Sequence, residues 1–247
     1  MRQFRIGQIV PSSNTTMETE IPAMLRAREQ CYPDEQFTFH SSRMRMHKVE
    51  LEELRKMNEE GKRCAAELAD ARVDVMSTAC LVAIMAMGPG HHRVAEAELQ
   101  DAARKAGSDS AVMTSAGALI SGLKILKARR IALLAPYMRP LAQKVVDYIE
   151  AEGVQVSSWN CFEIADNLEV GRRDPLLLVK DVEALDIRNA DAIVLSACVQ
   201  MPSFPAIQIV QDKLGIPVIS TAVCTARAML DQLGLKPVVP KAGALLA

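Results

Sequence analysis

A short apolar run that ends on a thiol occurs twice in this chain. Val73-Asp74-Val75-Met76-Ser77-Thr78-Ala79-Cys80 returns in altered form as Ala190-Asp191-Ala192-Ile193-Val194-Leu195-Ser196-Ala197-Cys198. Runs of this length, rich in Val and Ile and followed by helix-compatible sequence, suit strands covered on both faces in a parallel sheet. Ligands of such sheets bind at the carboxyl ends of the strands, which puts each cysteine where chemistry usually happens. Cys80 and Cys198 are therefore the candidate catalytic pair.

The sequence around the two runs repeats in the same order. Arg5 to Val10 is an opening strand, closed by the polar loop Pro11-Ser12-Ser13-Asn14-Thr15-Thr16, and Met17 to Arg28 is a helix with Glu18 and Glu20 in its first turn. Gln36 to Met44 is a second strand. Leu54, Met57, Gly61, Ala65 and Leu68 recur at helical spacing, which predicts an amphipathic helix over Leu51 to Ala71 ahead of the first thiol strand. Helical sequence from Leu81 to Ala86, a helix from His91 to Lys105, a strand from Ala111 to Thr114 and a helix from Ala118 to Leu126 complete the first half.

Arg130 to Pro136 then looks like the opening strand again, and Pro140 to Ala151 (helix), Val154 to Trp159 (strand) and Pro175 to Leu185 (helix) lead to the second thiol strand. A short Pro-broken helical segment, Val199 to Ile209, follows it. Pro217 to Ala222 repeats Ala111 to Ala116, again with a helix behind it. Four strand-helix units in the same order twice over are an internal duplication of an α/β unit. Right-handed crossovers then give two pseudo-symmetric domains, each a roughly four-stranded parallel sheet flanked by helices, with the active site in the cleft between them. The expected division is residues 1–113 plus 221–247 for the first domain and 114–220 for the second.

The formal charge of -1 offers no general attraction to nucleic acid or an anionic membrane. The longest apolar run, Ala79 to Met87, is well short of a membrane span, and Pro11 interrupts the start before a signal peptide can develop, so a cytoplasmic protein is expected. The cysteines at 31, 64, 80, 161, 198 and 224 include no pair at zinc-knuckle or redox CxxC spacing, so no metal site is expected. Cys31, Cys64, Cys161 and Cys224 read as structural thiols, with Cys224, at the loop-helix start of the repeat, the first candidate for an exception.

Helix amino ends stabilise thiolates through N–H groups and the helix dipole, so of two facing thiols one can be a nucleophile and the other an acid. A small planar substrate between them could be racemised, decarboxylated or isomerised at a double bond. The residues after the thiols, Leu81-Val82 and Val199-Gln200, suggest an apolar shell with backbone N–H donors near Val82 and Val199. That suits a carboxylate and leaves an ammonium group without a partner. His91-His92 read as a solvated helix start rather than as bases. Gly88-Pro89-Gly90 matches no phosphate-binding loop and could serve as a hinge. Taken alone, Asn14 could cap the Met17 helix, Tyr137 could be a surface aromatic, and Asn167 could belong to a polar turn.

Taken together, the Pro11-Ser12-Ser13-Asn14-Thr15 loop, the Ser77-Thr78-Ala79-Cys80 and Ser196-Ala197-Cys198 strands, Pro136-Tyr137 and Asp166-Asn167 resemble the aspartate/glutamate racemase superfamily over essentially the full chain. Within it the chain is most similar to maleate cis-trans isomerases. Amino-acid racemases of that scaffold commonly follow their cysteines with Asn-Thr or Thr-His, and arylmalonate decarboxylases keep only the second-half cysteine. The chain fits neither pattern, although an amino-acid or hydantoin racemase and a decarboxylase remain the alternatives. The resemblance implies addition of the Cys80 thiolate to maleate, rotation about the former double bond, and elimination to fumarate with Cys198 as acid-base partner. It also implies that Asn14, Tyr137 and Asn167 bind the carboxylates, aided by N–H groups near Val82 and Val199, without cofactor or metal, in a homodimer.

Overall fold

The computed structural model describes residues 1–247. Strands β1 (Arg2–Pro11), β2 (Glu35–Met44), β3 (Val75–Thr78) and β4 (Ala111–Thr114) form a parallel sheet in the order β2-β1-β3-β4. Strands β5 (Arg130–Ala135), β6 (Gln155–Cys161), β7 (Ala192–Ser196) and β8 (Val218–Ser220) form a second one in the order β6-β5-β7-β8. The helices of the first half are α1 (Met17–Glu29), α2 (Leu51–Asp70), α3 (Leu81–Met85), α4 (His91–Lys105) and α5 (Ser115–Ile125). Those of the second are α6 (Arg139–Ala151), α7 (Asn167–Arg172), α8 (Leu178–Asp181), α9 (Phe204–Leu214) and α10 (Thr221–Gln232).

The duplication extends to individual side chains. At the entry to each thiol strand an aspartate turns its carboxylate onto the neighbouring strand's main chain. Asp74 accepts from the Arg5 N–H at 2.6 Å, and Asp191 accepts from the N–H groups of Arg129 and Arg130 at 2.8 and 2.9 Å. At the exit of each edge strand a hydroxyl caps the next helix: Thr114 Oγ1 accepts from Gly117 N–H and Ser220 Oγ from Val223 N–H. Helices α5 and α10, started this way, pack on each other, and α10 also packs against α1, β3 and β4. Contact is close enough that a Cβ at Gly122 would come within 2.6 Å of Cys224 Sγ, so Cys224 is a buried packing thiol. The five α2 residues predicted to face inward are all buried.

Three local features differ from the sequence reading. The helix expected over 175–185 is a string of single turns, 3₁₀ at Pro175–Leu177, then α8, then 3₁₀ at Val182–Ala184. Between Pro175 and Ala184 only Leu178 and Val182 are buried, which is too little of an apolar stripe to hold one regular helix. No helix starts at Cys198. Met201 precedes Pro202, which disfavours the α conformation, and α9 begins only at Phe204 with Pro205 in its first turn. Asn167 opens a helix rather than lying in a turn, because the Asp166 side chain accepts from Leu168 N–H as an N-cap.

Arg28, fully buried on α1, closes the first half around the C-terminal segment. Its guanidinium donates to Glu35 at 2.7 and 3.1 Å and to the carbonyls of Lys236 and Val238 at 2.5 and 2.8 Å. Arg28→Ala would leave the Glu35 charge and two carbonyls without these partners, and should lower the unfolding free energy by about 3–5 kcal/mol. Urea denaturation of the two proteins measures it; a loss under about 1 kcal/mol would mean the pair is open to water.

Candidate active site

Cys80 and Cys198 each stand just beyond a central strand, β3 and β7, and line one cavity. Cys80 is extended (φ -119°, ψ 127°) at the N-cap position of α3, beside the N–H groups of Val82 and Ala83 in its first turn. Cys198, 7% exposed, lies in the turn before α9 and is reached by the N–H groups of Gln200 and Met201 and by the Tyr137 hydroxyl. That turn is held by Ser196 Oγ, which donates to the carbonyls of Cys198 and Met201 at 2.9 and 3.0 Å. The sequence expected a helix amino end at both sulfurs. One has it, and the other gets the same kind of donor from a Pro-interrupted turn.

The remaining polar lining comes from Asn14, Tyr137, Asn167 and Gln200. Asn14 caps α1, its Oδ1 accepting from Thr16 and Met17 N–H at 2.9 Å each, and its side chain also borders the cavity. Tyr137 is buried rather than superficial; its hydroxyl donates to the Ala197 carbonyl at 3.0 Å and is within reach of Cys198. Asn167 Nδ2 donates to Ser13 Oγ at 2.9 Å, a bond from the second half to the first. Val199 lines the cavity, whereas Val82 contributes its N–H and its neighbour Leu81 supplies the wall. Gln200 lines the cavity although the sequence reading counts it in an apolar shell; a glutamine between Val199 and Met201 is the available signal.

None of the lining side chains is Asp, Glu, Lys or Arg. The enclosed space is about 10 Å³, roughly one water's worth, and Pro11, Met46 and Val49 complete its wall. Outside lies an open depression of about 530 Å³ bordered by His47, Lys48, Met138 and Asp166, and Val49 touches both.

Burial governs the acidities here. It pushes the Cys80 thiol up to about 12, the Cys198 charge adds to the push, and the N–H groups of Ala83 and Val82 oppose it. Cys198 is also raised by burial, with the Tyr137 hydroxyl and the Gln200 and Met201 N–H groups pulling down and the Glu20 carboxylate pushing up. Tyr137 is held well above its usual value by burial and by both cysteine charges, so it stays a neutral donor.

An arylmalonate decarboxylase family model matches residues 6–246. The maleate isomerase of Geobacillus stearothermophilus is 59% identical over 246 residues, covering 100% of this chain and 98% of that protein. The crystal structure of a variant maleate isomerase from Pseudomonas putida S16 with maleate superimposes with a TM-score of 0.97 at 53% identity, covering 99% of this chain and 98% of that one. The chain belongs to the maleate isomerase family. A further member, a cysteine-to-serine variant of the Nocardia farcinica isomerase with a covalently bound succinylcysteine intermediate, matches with a TM-score of 0.95 at 47% identity over 99% of this chain and 98% of that one.

Outside the cavity, His92 departs from the expected solvated helix start. It is 6% exposed, its N–H donates to Tyr148 Oη at 3.0 Å, and its Nδ1 meets the same oxygen, joining α4 to α6. The other unanticipated burial is Glu20 of α1, which reaches across to the start of α9. One carboxylate oxygen accepts from Ser203 N–H at 2.6 Å, Ser203 Oγ at 3.3 Å and Phe204 N–H.

Burial raises Glu20 to about 7 against those donors. A carboxyl raised on folding adds stability that is complete below the unfolded pKa, near 4.5, and is lost as pH rises through about 7. Glu20→Gln keeps an acceptor for the same N–H groups without the titration. The stability of wild type relative to Glu20→Gln should then fall from about pH 5 to about pH 8, by an amount of order 3 kcal/mol. Denaturant melts at several pH values test this, and a constant difference would show that Glu20 stays ionised throughout.

Proposed function

We propose that the chain isomerises maleate to fumarate with Cys80 as nucleophile and Cys198 as acid-base partner, in the cleft between residues 1–113 plus 221–247 and residues 114–220. The observation that carries this reading is the pair of thiols lining one uncharged cavity together with three side-chain amides and a buried phenol. The Cys80 sulfur adds to one alkene carbon, and the π electron pair moves to the other carbon and its carboxylate. Cys198 delivers its proton to that carbon, which completes a succinyl thioether. Rotation about the new single bond follows. The Cys198 thiolate then removes the proton, the double bond re-forms, and the Cys80 thiolate leaves. Atoms and electrons balance without an oxidant or a further reactant.

Asn14, Tyr137, Asn167 and the N–H groups of Val82 and Val199 hold the two carboxylates in this reading. The succinylcysteine of the Nocardia farcinica variant supports a thioether intermediate, and it forms there although one cysteine is serine. An amino-acid racemase would need a partner for an ammonium group, and no acidic side chain lines the cavity. A homodimer in the cytoplasm belongs to the same proposal, on the strength of family resemblance.

Proton NMR of the purified protein with maleate should show fumarate appearing. Cys80→Ala should reduce turnover at least about 1000-fold, and Cys198→Ser should retain a maleate adduct on the Cys80 peptide in intact-mass and digest spectra. Turnover within about tenfold of wild type in both variants would sink the two-thiol mechanism, and an adduct confined to Cys198 would exchange the roles. Because both thiols are raised, kcat/KM should climb as pH rises above neutrality, a profile that belongs to the pair rather than to either sulfur.

A further inference from the structure

We propose that Gln200 is a positioning residue that sets the separation of Asn14 and Asn167, and with it the length of diacid the cavity accepts. This deepens the isomerase reading above and rests on it. Gln200 is 2% exposed and follows the cysteine loop, yet its side chain joins two other loops, one from each half of the chain. Its Oε1 accepts from the Thr15 N–H at 2.8 Å, and its Nε2 donates to the carbonyls of Asn167 and Ser13 at 2.7 and 3.2 Å. The amide orientation is forced, because a carbonyl only accepts and an N–H only donates. Exchanging O and N would turn all three contacts repulsive.

Three of its four partners are main-chain atoms, the fourth being Thr15 Oγ1 at 3.5 Å, so the amide chiefly fixes backbones. Ser13 and Thr15 flank Asn14, and the Asn167 carbonyl belongs to the second amide itself. Two bonds reinforce the splint: Thr16 Oγ1 donates to the Gln200 carbonyl at 2.8 Å, and Asn167 Nδ2 donates to Ser13 Oγ at 2.9 Å. There is little slack behind it. A Cβ at Gly171 would stand 2.6 Å from Gln200 Nε2 and 2.7 Å from Thr15 Oγ1, so α7 is seated directly against the amide. Gln200 also lines the cavity, and its own N–H points at Cys198. One side chain thus ties both carboxylate-holding amides to the turn that carries a sulfur.

Without the splint, the two loops are free to separate, and an anion bridging Asn14 and Asn167 loses its fit before the thiols lose theirs. Gln200→Met keeps the length and none of the hydrogen bonds. Gln200→Glu keeps the acceptor for Thr15 and sets an oxygen against two carbonyls. For each full-length variant, KM and kcat for maleate would be measured, together with equilibrium affinities for succinate and glutarate, unreactive diacids that differ by one methylene.

With both variants folded by circular dichroism, KM should rise about tenfold or more while kcat stays within about fivefold, and the wild-type preference for succinate over glutarate should shrink at least about threefold. A folded variant with wild-type KM and wild-type preference overturns the proposal. So does a fall in kcat that leaves the preference intact, and so does failure of both variants to fold, which would mark Gln200 as structural. Absence of maleate turnover by the wild type would instead refute the isomerase reading, and the succinate-glutarate comparison would still decide the role of Gln200.

Discussion

The cavity is lined by no ionised partner for an anion, and everything around it is arranged to compensate for that. Taking a carboxylate out of water costs several kcal/mol, and the cavity lining has no lysine or arginine to offset it. The stabilisation has to come from fixed dipoles, N–H groups and amides, which act strongly where water is excluded but only if they are already aimed. Rigid loops are the consequence. The Cys198 turn is pinned from inside by Ser196 and from the opposite half by Glu20, while Asn14 is locked by its own capping bonds. Neutral donors have a chemical merit as well. They accept the charge that addition creates without holding it so tightly that the thiolate cannot leave.

Duplication supplies the frame, and divergence supplies the chemistry. Asp74 and Asp191, and the caps Thr114 and Ser220, do the same work in the two halves and deliver two sulfurs at equivalent strand ends. Beyond the sulfurs the halves part. Five helical residues follow Cys80 at once, whereas Pro202 forces an open turn after Cys198 and delays α9. That turn makes room for Gln200 to reach back to Ser13 and Thr15, a contact a continued helix would not provide.

How much of this was written in the local sequence follows from the range of the forces involved. Strands covered on both faces, the α2 stripe and the two thiol-ending runs are local patterns, whereas the strand order β2-β1-β3-β4 was not legible, since right-handed crossovers permit other orders as well. The role of Asn14 as a cap was also local. Gln200, Glu20 and His92 were not legible, because each is a polar residue whose partners lie far off in the chain, those of Glu20 and His92 in the other half and those of Gln200 in both. Periodicity reports which face is wet, not what a buried polar group meets. The single turns between Pro175 and Ala184 were misread for the opposite reason: composition favoured a helix, but only two side chains found a core to enter.

The same cross-half contacts separate the two thiols. The Gln200 and Met201 N–H groups and the Tyr137 hydroxyl pull the Cys198 pKa down against burial, the Ala83 and Val82 N–H groups do the same for Cys80, and the Cys198 charge helps to push Cys80 up. Glu20 works against this, because a buried carboxylate near Cys198 favours the thiol there and so favours Cys198 as the proton donor. The two influences oppose each other at Cys198. In the proposed reaction, carboxylates held at Asn14 and Asn167 draw on neutral donors, and an alkene carbon next to Cys80 gives that thiolate a bond to form. The proton then belongs on Cys198, where addition needs it, and the thioether that results leaves Cys198 as the base that elimination requires.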